Sequence, residues 1–251
     1  MSELLISCSL GMLLGVRHAL EPDHLAAVST LAATGQAQRL GAHGRGAGAG
    51  VLLGAALGAI WGLGHTLALL VVGGGLALLH AQMPARLSDG FELLVAVLLL
   101  WLGLRALALS LRLSRQALRE GERGPVTAHE HDGTRHAHRG PAHHVHLGRL
   151  TLASRPLVVG LVHGLAGSGA MTALVLANLP SVTARILYIA LFGLGSVLGM
   201  ALLSGLLGWP LSRLVDGRRL QLLRAFSAVT GLGSAAYGVY WGLPPVLRLI
   251  G

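Results

Sequence analysis

The sequence is poor in charge, in aromatic side chains and in cysteine, and it contains no lysine. Only 12% of its 251 residues are charged, whereas soluble domains carry about 25% charged residues. Cys8 is the single cysteine, which excludes a disulfide framework and a cysteine-based metal cluster. The chain also lacks a Gly-Lys-Ser/Thr nucleotide-binding loop, so hydrolysis of ATP by this chain is excluded.

Apolar side chains fill most of the chain, at 53% of its residues. Runs of about 20 apolar residues recur, and each run is long enough to cross ~30 Å of hydrocarbon. We therefore predict an all-α, polytopic membrane protein. The predicted spans are residues 4–33, 51–79, 90–112, 156–179, 184–209 and 225–247.

The arginines divide unevenly between the two sides of the predicted membrane. The loops after spans 1, 3 and 5 hold 14 arginines, and the opposite side holds Arg86, Arg185 and Arg248. The positive-inside rule then predicts a bacterial inner-membrane protein with both termini in the periplasm and residues 113–155 in the cytoplasm. The net charge of +9 therefore favours contact with lipid headgroups rather than with nucleic acid.

The two halves of the chain share short motifs in the same order. The matches are Gly15–His18 with Gly160–His163, Gly62–Leu67 with Gly193–Leu198, and Ala96–Val97 with Ala228–Val229. A unit of three spans inserts its second copy upside down, so we predict two inverted three-helix repeats, 1–112 and 156–251. The alternative is a bias towards Gly and Leu, which are common in membrane helices.

The first span carries ionisable side chains where a membrane helix rarely tolerates them. The segment is His18-Ala19-Leu20-Glu21-Pro22-Asp23-His24, directly after Arg17. On a regular helix, with about 100° per residue, His18 and His24 would point about 120° apart. Pro22 cannot donate a hydrogen bond and its ring clashes with the carbonyl of His18. A helix break there would let His18, Asp23 and His24 converge.

Two imidazoles and a carboxylate without a thiolate favour a transition-metal ion. Imidazole suits nickel, copper, zinc and iron, and a mixed nitrogen and oxygen set favours nickel or copper. Magnesium and calcium prefer oxygen ligands throughout. The alternative is a proton relay or an internal ion pair, such as Arg17 with Glu21. In the metal hypothesis, we expect Arg17 to neutralise Glu21 or Asp23 rather than to touch the cation.

Two further histidines lie in predicted spans. His65 is flanked by Gly64 and Thr66 in span 2, and His163 occupies the repeat position of His18. A glycine-rich stretch, residues 164–170, follows His163 and could unwind like the segment at Pro22. Each histidine is a candidate for the metal path. The alternative for each is a core histidine that hydrogen-bonds a neighbouring carbonyl.

The long loop 113–155 is rich in histidine and is predicted to be disordered, because no apolar pattern repeats there. Its histidines are His129, His131, His136, His138, His143, His144 and His146. We predict a low-affinity collector of divalent metal on the cytoplasmic side. The alternative is a solvated linker without a metal role.

The motif His-x4-Asp-His after Leu-Gly-x-Arg resembles the signature of the nickel/cobalt transporter family. With Glu21–His24 and Trp61–Thr66, the chain is most similar to the short, six-helix urease-accessory branch. The resemblance implies transport of Ni²⁺ or Co²⁺ as substrate, without a permanent cofactor. It also implies that His18, Asp23 and His24 bind the ion, and that metallochaperones of urease or hydrogenase maturation are partners.

Uptake is the predicted direction, because a divalent cation gains about 4.6 kcal/mol per 100 mV on moving inward. The alternatives are efflux, or a membrane accessory or metal-sensing protein without transport. An intramembrane metalloprotease would need a His-Glu-x-x-His pair, which is absent. We therefore predict no enzyme and no catalytic residues.

Overall fold

The computed structural model describes residues 2–37, 47–122, 129–131, 134–136, 154–167, 179, 181–216 and 220–250. Helices account for nearly all of these residues. The helices are α1 Ser2–His18, α2 Pro22–Ala37, α3 Ala47–Ala68, α4 Gly74–Leu78, α5 Ala85–Glu122, α6 over residues 154–167, α7 Val182–Asp216 and α8 Leu220–Ile250. One π-helical turn, Leu69–Gly73, joins α3 to α4.

The predicted first span consists of two helices. Helix α1 ends at His18, and α2 begins at Pro22. Between them the backbone tightens: the N–H of Leu20 donates to the carbonyl of Arg17 at 2.9 Å, and that of Glu21 to His18 at 3.0 Å. Proline fits the first position of a helix, where no N–H is needed. The break predicted at Pro22 is present, and Pro22 starts the second helix.

Three helical stretches among the described residues are long and apolar enough to cross a membrane: Gly50–Leu78, Ala85–Arg115 and Val182–Leu214. Helices α1 and α2, with 17 and 16 residues, are each shorter than a span of about 20 residues. Helix α8 has sufficient length, with 31 residues, but it is less apolar. The outer faces of the helices carry many exposed leucines, typical of a lipid-facing surface.

The loop predicted from residue 113 begins later and has some regular structure. Helix α5 continues to Glu122, because Ala, Leu, Arg and Glu in this stretch are good helix formers. Strand β1, His129–His131, pairs antiparallel with β2, Thr134–His136, and the other described elements are helical, in agreement with the predicted all-α class. The disorder of the loop stays a prediction. The sequence Asp132-Gly133 between the strands is one that favours hairpins.

Two helix pairs approach closely at glycines that the sequence comparison had matched. Helix α1 packs on α7, and α6 packs on α3, with a glycine backbone against a backbone in both cases. A Cβ at either glycine would clash with a carbonyl oxygen of the facing helix. The corresponding contacts are Gly15 on Phe192 and Ser196, and Gly160 on Trp61 and His65.

Helices α3 and α7 also cross at matched positions. Gly62 packs on Val197, and Gly193 packs on Thr66, whose hydroxyl donates to the carbonyl of Gly193 at 3.0 Å. This crossing brings α3 to the centre of the described structure, where Trp61 belongs to the largest buried apolar cluster. His65 lies one helical turn further along α3 and is therefore buried as well.

Candidate metal centre

Three imidazoles from three helices meet in the interior. His18 is the last residue of α1, His24 lies in the first turn of α2, and His65 lies in α3. The ring centroids are 4.5 Å apart for His18 and His24, 5.1 Å for His18 and His65, and 5.3 Å for His24 and His65. One nitrogen from each ring lies within 4.8 Å of the other two. Bonds from nitrogen to a transition ion are about 2.1 Å long, so two nitrogens bound to one ion lie at most about 4.2 Å apart, which is close to the spacing found here.

Ring nitrogens of this cluster are buried without a hydrogen-bond partner. His24 is 1% exposed and His65 is fully buried. Within the described part of the chain, Nε2 of His24 and both ring nitrogens of His65 have no partner. A buried polar atom left unpaired costs about 1–3 kcal/mol. A metal ion bound by these lone pairs would remove that penalty.

The two acids of the motif contact two of the three histidines. Nδ1 of His18 lies 2.9 Å from Oε2 of Glu21, and Nδ1 of His24 lies 3.0 Å from Oδ1 of Asp23. Glu21, Asp23 and His24 also form a second group of potential ligands within 4.8 Å of one another. Carboxylate–imidazole pairs of this kind commonly accompany histidines that bind metals.

Arg17 does not take the place predicted for it. Its side chain is exposed, and it forms no ion pair with any described residue. The expectation that it neutralises Glu21 or Asp23 was wrong. Position 17 is one residue before His18 and therefore points about 100° away from the histidine cluster. Histidine nitrogens contact both acids instead.

His163 lies beside the cluster in α6. It is 2% exposed, and its ring centroid is 5.2 Å from that of His24. Its Nδ1 lies 3.2 Å from the carbonyl oxygen of Val159, and its Nε2 has no partner among the described residues. His163 does not belong to the group of three whose nitrogens lie within 4.8 Å. It therefore extends the row of imidazoles by one member.

Two aromatic rings that the sequence reasoning missed line the cluster. Trp61 stacks on His24 at 5.5 Å and meets His163 edge-on at 5.8 Å, whereas Phe192 lies 5.2 Å from His18. Trp61 precedes His65 by four residues, so both share a helix face. It also directly precedes Gly62, as Phe192 precedes Gly193. These two signals could have identified both rings.

The structure does not describe the side chains of the histidine-rich loop. The backbones of His129, His131 and His136 lie in β1 and β2. The other four histidines predicted to collect metal lie outside the described residues: His138, His143, His144 and His146. The predicted collector therefore stays a prediction.

Comparison with known proteins identifies the family of this chain. The urease accessory protein UreH of Bacillus sp. (strain TB-90) is 33% identical over 240 residues, which cover 95% of this chain and 91% of that protein. No solved structure matches the chain. A family model described as "High-affinity nickel-transport protein" matches residues 4–217, which include all three histidines of the cluster. This protein belongs to that family, NicO.

Proposed function

We propose that this protein carries Ni²⁺ into the cytoplasm across a bacterial inner membrane, and that Co²⁺ can take the same route. The observation that carries the proposal is the convergence of His18, His24 and His65. Their unpaired, buried nitrogens suit an ion that prefers imidazole. Family membership already makes the chain a non-enzymatic protein of metal transport or an accessory protein. The finer claim is that the three-histidine cluster is the transport site.

The inner cluster fits a transition ion better than the outer group of Glu21, Asp23 and His24. Both carboxylates of the outer group already contact an Nδ1 atom, whereas the inner nitrogens of His24 and His65 have no such partner among the described residues. Imidazole suits nickel and cobalt, whereas magnesium and calcium prefer oxygen ligands. The cluster would thereby favour the transition ion over these more abundant cations.

A gradient of burial supports a path through the cluster. Glu21 is 51% exposed and the side chain of His18 is 16% exposed, whereas His24, His65 and His163 are each at most 2% exposed. An ion entering beside Glu21 would lose its bound water gradually, because the next imidazole along the path always lies close by. Neighbouring ring centroids are 4.5–5.3 Å apart. His163 would be the next ligand beyond the group of three.

The reciprocal glycine contacts support the predicted architecture of two inverted three-helix repeats. Gly15 and Gly160 are matched positions, and each packs on the matched pair of the opposite half. The crossing of Gly62 with Val197 mirrors that of Gly193 with Thr66. In transporters built from inverted repeats, the substrate site lies near the midplane between the halves. The histidine cluster, with residues from α1, α2 and α3 facing His163 of α6, fits that position.

The membrane potential favours import. Moving a divalent cation inward releases about 4.6 kcal/mol per 100 mV, from about 2.3 kcal/mol per elementary charge. No ATP is needed for this step. In the proposed topology both termini face the periplasm, and the histidine-rich loop receives the ion in the cytoplasm.

Purified protein in sealed liposomes with a nickel-sensitive dye inside tests transport directly. Nickel is added outside the liposomes, and the interior is held at a negative potential. Under these conditions the wild-type protein should give saturable quenching of the dye. His65→Asn should lose it, because an amide replaces a ligand nitrogen. His80→Asn is the matched control: His80 is exposed, lies in the turn after α4, and has a φ of 52° that asparagine tolerates. Equal quenching by both variants would contradict the proposed site.

The similarity to a urease accessory protein favours one second candidate, an accessory protein that binds nickel without transporting it. Such a protein would bind nickel in detergent, yet the liposomes would show no quenching beyond that of empty vesicles. Direction is tested in cells: an importer sensitises cells to added nickel, whereas an exporter protects them.

A further inference from the structure

Two carboxylates of the first-span motif are placed on the same ring atom of two different histidines. Glu21 follows His18 by three residues and contacts its Nδ1 at 2.9 Å. Asp23 directly precedes His24 and contacts its Nδ1 at 3.0 Å. The two acids have different local settings, since Glu21 lies in the break between α1 and α2 and Asp23 lies in the first turn of α2. The same contact, a carboxylate oxygen on Nδ1 of a histidine, occurs in two different local settings. This repetition indicates that Glu21 and Asp23 have the same role.

The chemistry of the contact fixes where the proton lies. An ionised carboxylate only accepts hydrogen bonds, so each contact requires a hydrogen on Nδ1. A neutral imidazole with its hydrogen on Nδ1 carries its free lone pair on Nε2. In His24 this Nε2 is buried and has no hydrogen-bond partner among the described residues. His24 therefore presents a lone pair to the interior while its other nitrogen is held by Asp23.

Asp23 does not belong to the group of three imidazoles. The nitrogens of His18, His24 and His65 lie within 4.8 Å of one another, whereas Asp23 forms such a group only with Glu21 and His24. Glu21 lies towards the surface, with 51% of its side chain exposed, whereas Asp23 and His18 are equally exposed at 16%. Exposure therefore separates Glu21 from the cluster, and the existing contact with Nδ1 of His24 distinguishes Asp23.

We propose that Glu21 and Asp23 are positioning residues that do not bind the ion in the cluster. Each holds one imidazole in the Nδ1–H tautomer, so that His18 and His24 both offer Nε2, and His65 supplies the third nitrogen. The ion is then bound by neutral imidazoles alone, and the two nearby negative charges balance its charge. This inference rests on the proposed function and replaces the expectation that Asp23 is a ligand.

The tautomers can be read directly from ¹⁵N-histidine NMR spectra of the metal-free wild-type protein at neutral pH. His18→Gln and His24→Gln assign the two signals. We expect the Nδ1–H tautomer for both histidines, because each has a carboxylate partner at that atom. An Nε2–H tautomer at His24 would overturn the proposal, and this measurement requires no variant of either acid.

Nickel binding by purified variants gives the second test. Loss of a hydrogen-bonded partner of a metal ligand lowers metal affinity about 10- to 100-fold. In Asp23→Leu, the affinity for nickel should be lower by a factor in that range, and His24 should no longer adopt the Nδ1–H tautomer. Asp23→Asn keeps an acceptor oxygen and should recover part of the affinity. Glu21→Leu should likewise lower the affinity for nickel and change the tautomer of His18. Glu21→Gln keeps an acceptor oxygen and should recover part of the affinity.

The outcomes separate this inference from the proposed function. If Asp23→Asn and Asp23→Leu both abolish binding as completely as His24→Ala, Asp23 is a ligand and the inference is wrong while the transport site stands. If Asp23→Leu binds nickel as tightly as wild type, the positioning role is wrong. Wild-type protein that binds no nickel would contradict the proposed function itself, whatever the tautomers.

Discussion

The close approach of α6 to α3 offers a sharp test, because one methyl group should displace the cluster without removing any ligand side chain. In Gly160→Ala, the new Cβ would lie 2.9 Å from the backbone nitrogen of His65 and 2.8 Å from Cδ1 of Trp61, and it would clash with the carbonyl oxygen of Trp61. Ordinary van der Waals contact begins at 3.4 Å. The helices must therefore separate by at least about 0.5 Å, and such overpacking typically costs about 1–3 kcal/mol.

The displaced segment of α3 carries both Trp61 and His65, so the cluster moves with it. Misplacement by about 1 Å costs an enzyme site about 100-fold, and we expect at least about a tenfold loss of nickel uptake here. The assay is ⁶³Ni uptake by cells, corrected for the amount of protein in the membrane. Gly233→Ala is the matched control, because a Cβ there meets no atom within 4 Å. Normal uptake by Gly160→Ala at normal abundance would refute the reasoning.

Other predictions follow from the same geometry. His18→Ala and His24→Ala should each abolish saturable ⁶³Ni uptake in cells while leaving protein abundance unchanged, because each removes a proposed ligand; normal uptake in both would contradict the site. Trp61→Phe should keep most uptake and Trp61→Ala should lose most of it, because a ring is needed to stack on His24; equal uptake would show that the ring is dispensable. Deletion of residues 125–147 should weaken the apparent affinity for nickel in concentration-dependent uptake without abolishing transport, and complete loss would contradict an accessory role for the loop.

The sequence predicted the helix break in the first span correctly, because the break depends on a few adjacent residues. The spacing of His18 and His24 is incompatible with one regular helix, and Pro22 specifies where the helix ends. The structure has this break. His65 was a candidate because it lies in a predicted span, but residue spacing alone could not connect it with His18, since the two lie in different helices.

The parts that sequence reasoning missed depend on contacts between helices or on competing local preferences. The spacing of Trp61 to His65 places both on one face of α3, but it does not identify the ring of His24, from a different helix, as the partner of Trp61. Arg17 was assigned a partner from its spacing to Glu21, but the histidine nearer to that acid contacts it instead. The strands His129–His131 and Thr134–His136 were not predicted, although the sequence Asp132-Gly133 is one that favours a hairpin.

The matched glycines show how a sequence pattern can carry long-range information. Gly15 and Gly160 were paired only as repeat positions, yet each makes the closest kind of backbone contact with the opposite half. The pattern gave no partner for either glycine. The partner positions emerge only once α1 lies against α7 and α6 against α3.

Crystals of the protein soaked in nickel, with diffraction measured on both sides of the nickel absorption edge, test the central claim most directly. The account predicts one anomalous peak about 2.1 Å from a ring nitrogen of each of His18, His24 and His65. Under saturating nickel, the absence of a peak among these three rings, or a peak only at the exposed carboxylates, would contradict it.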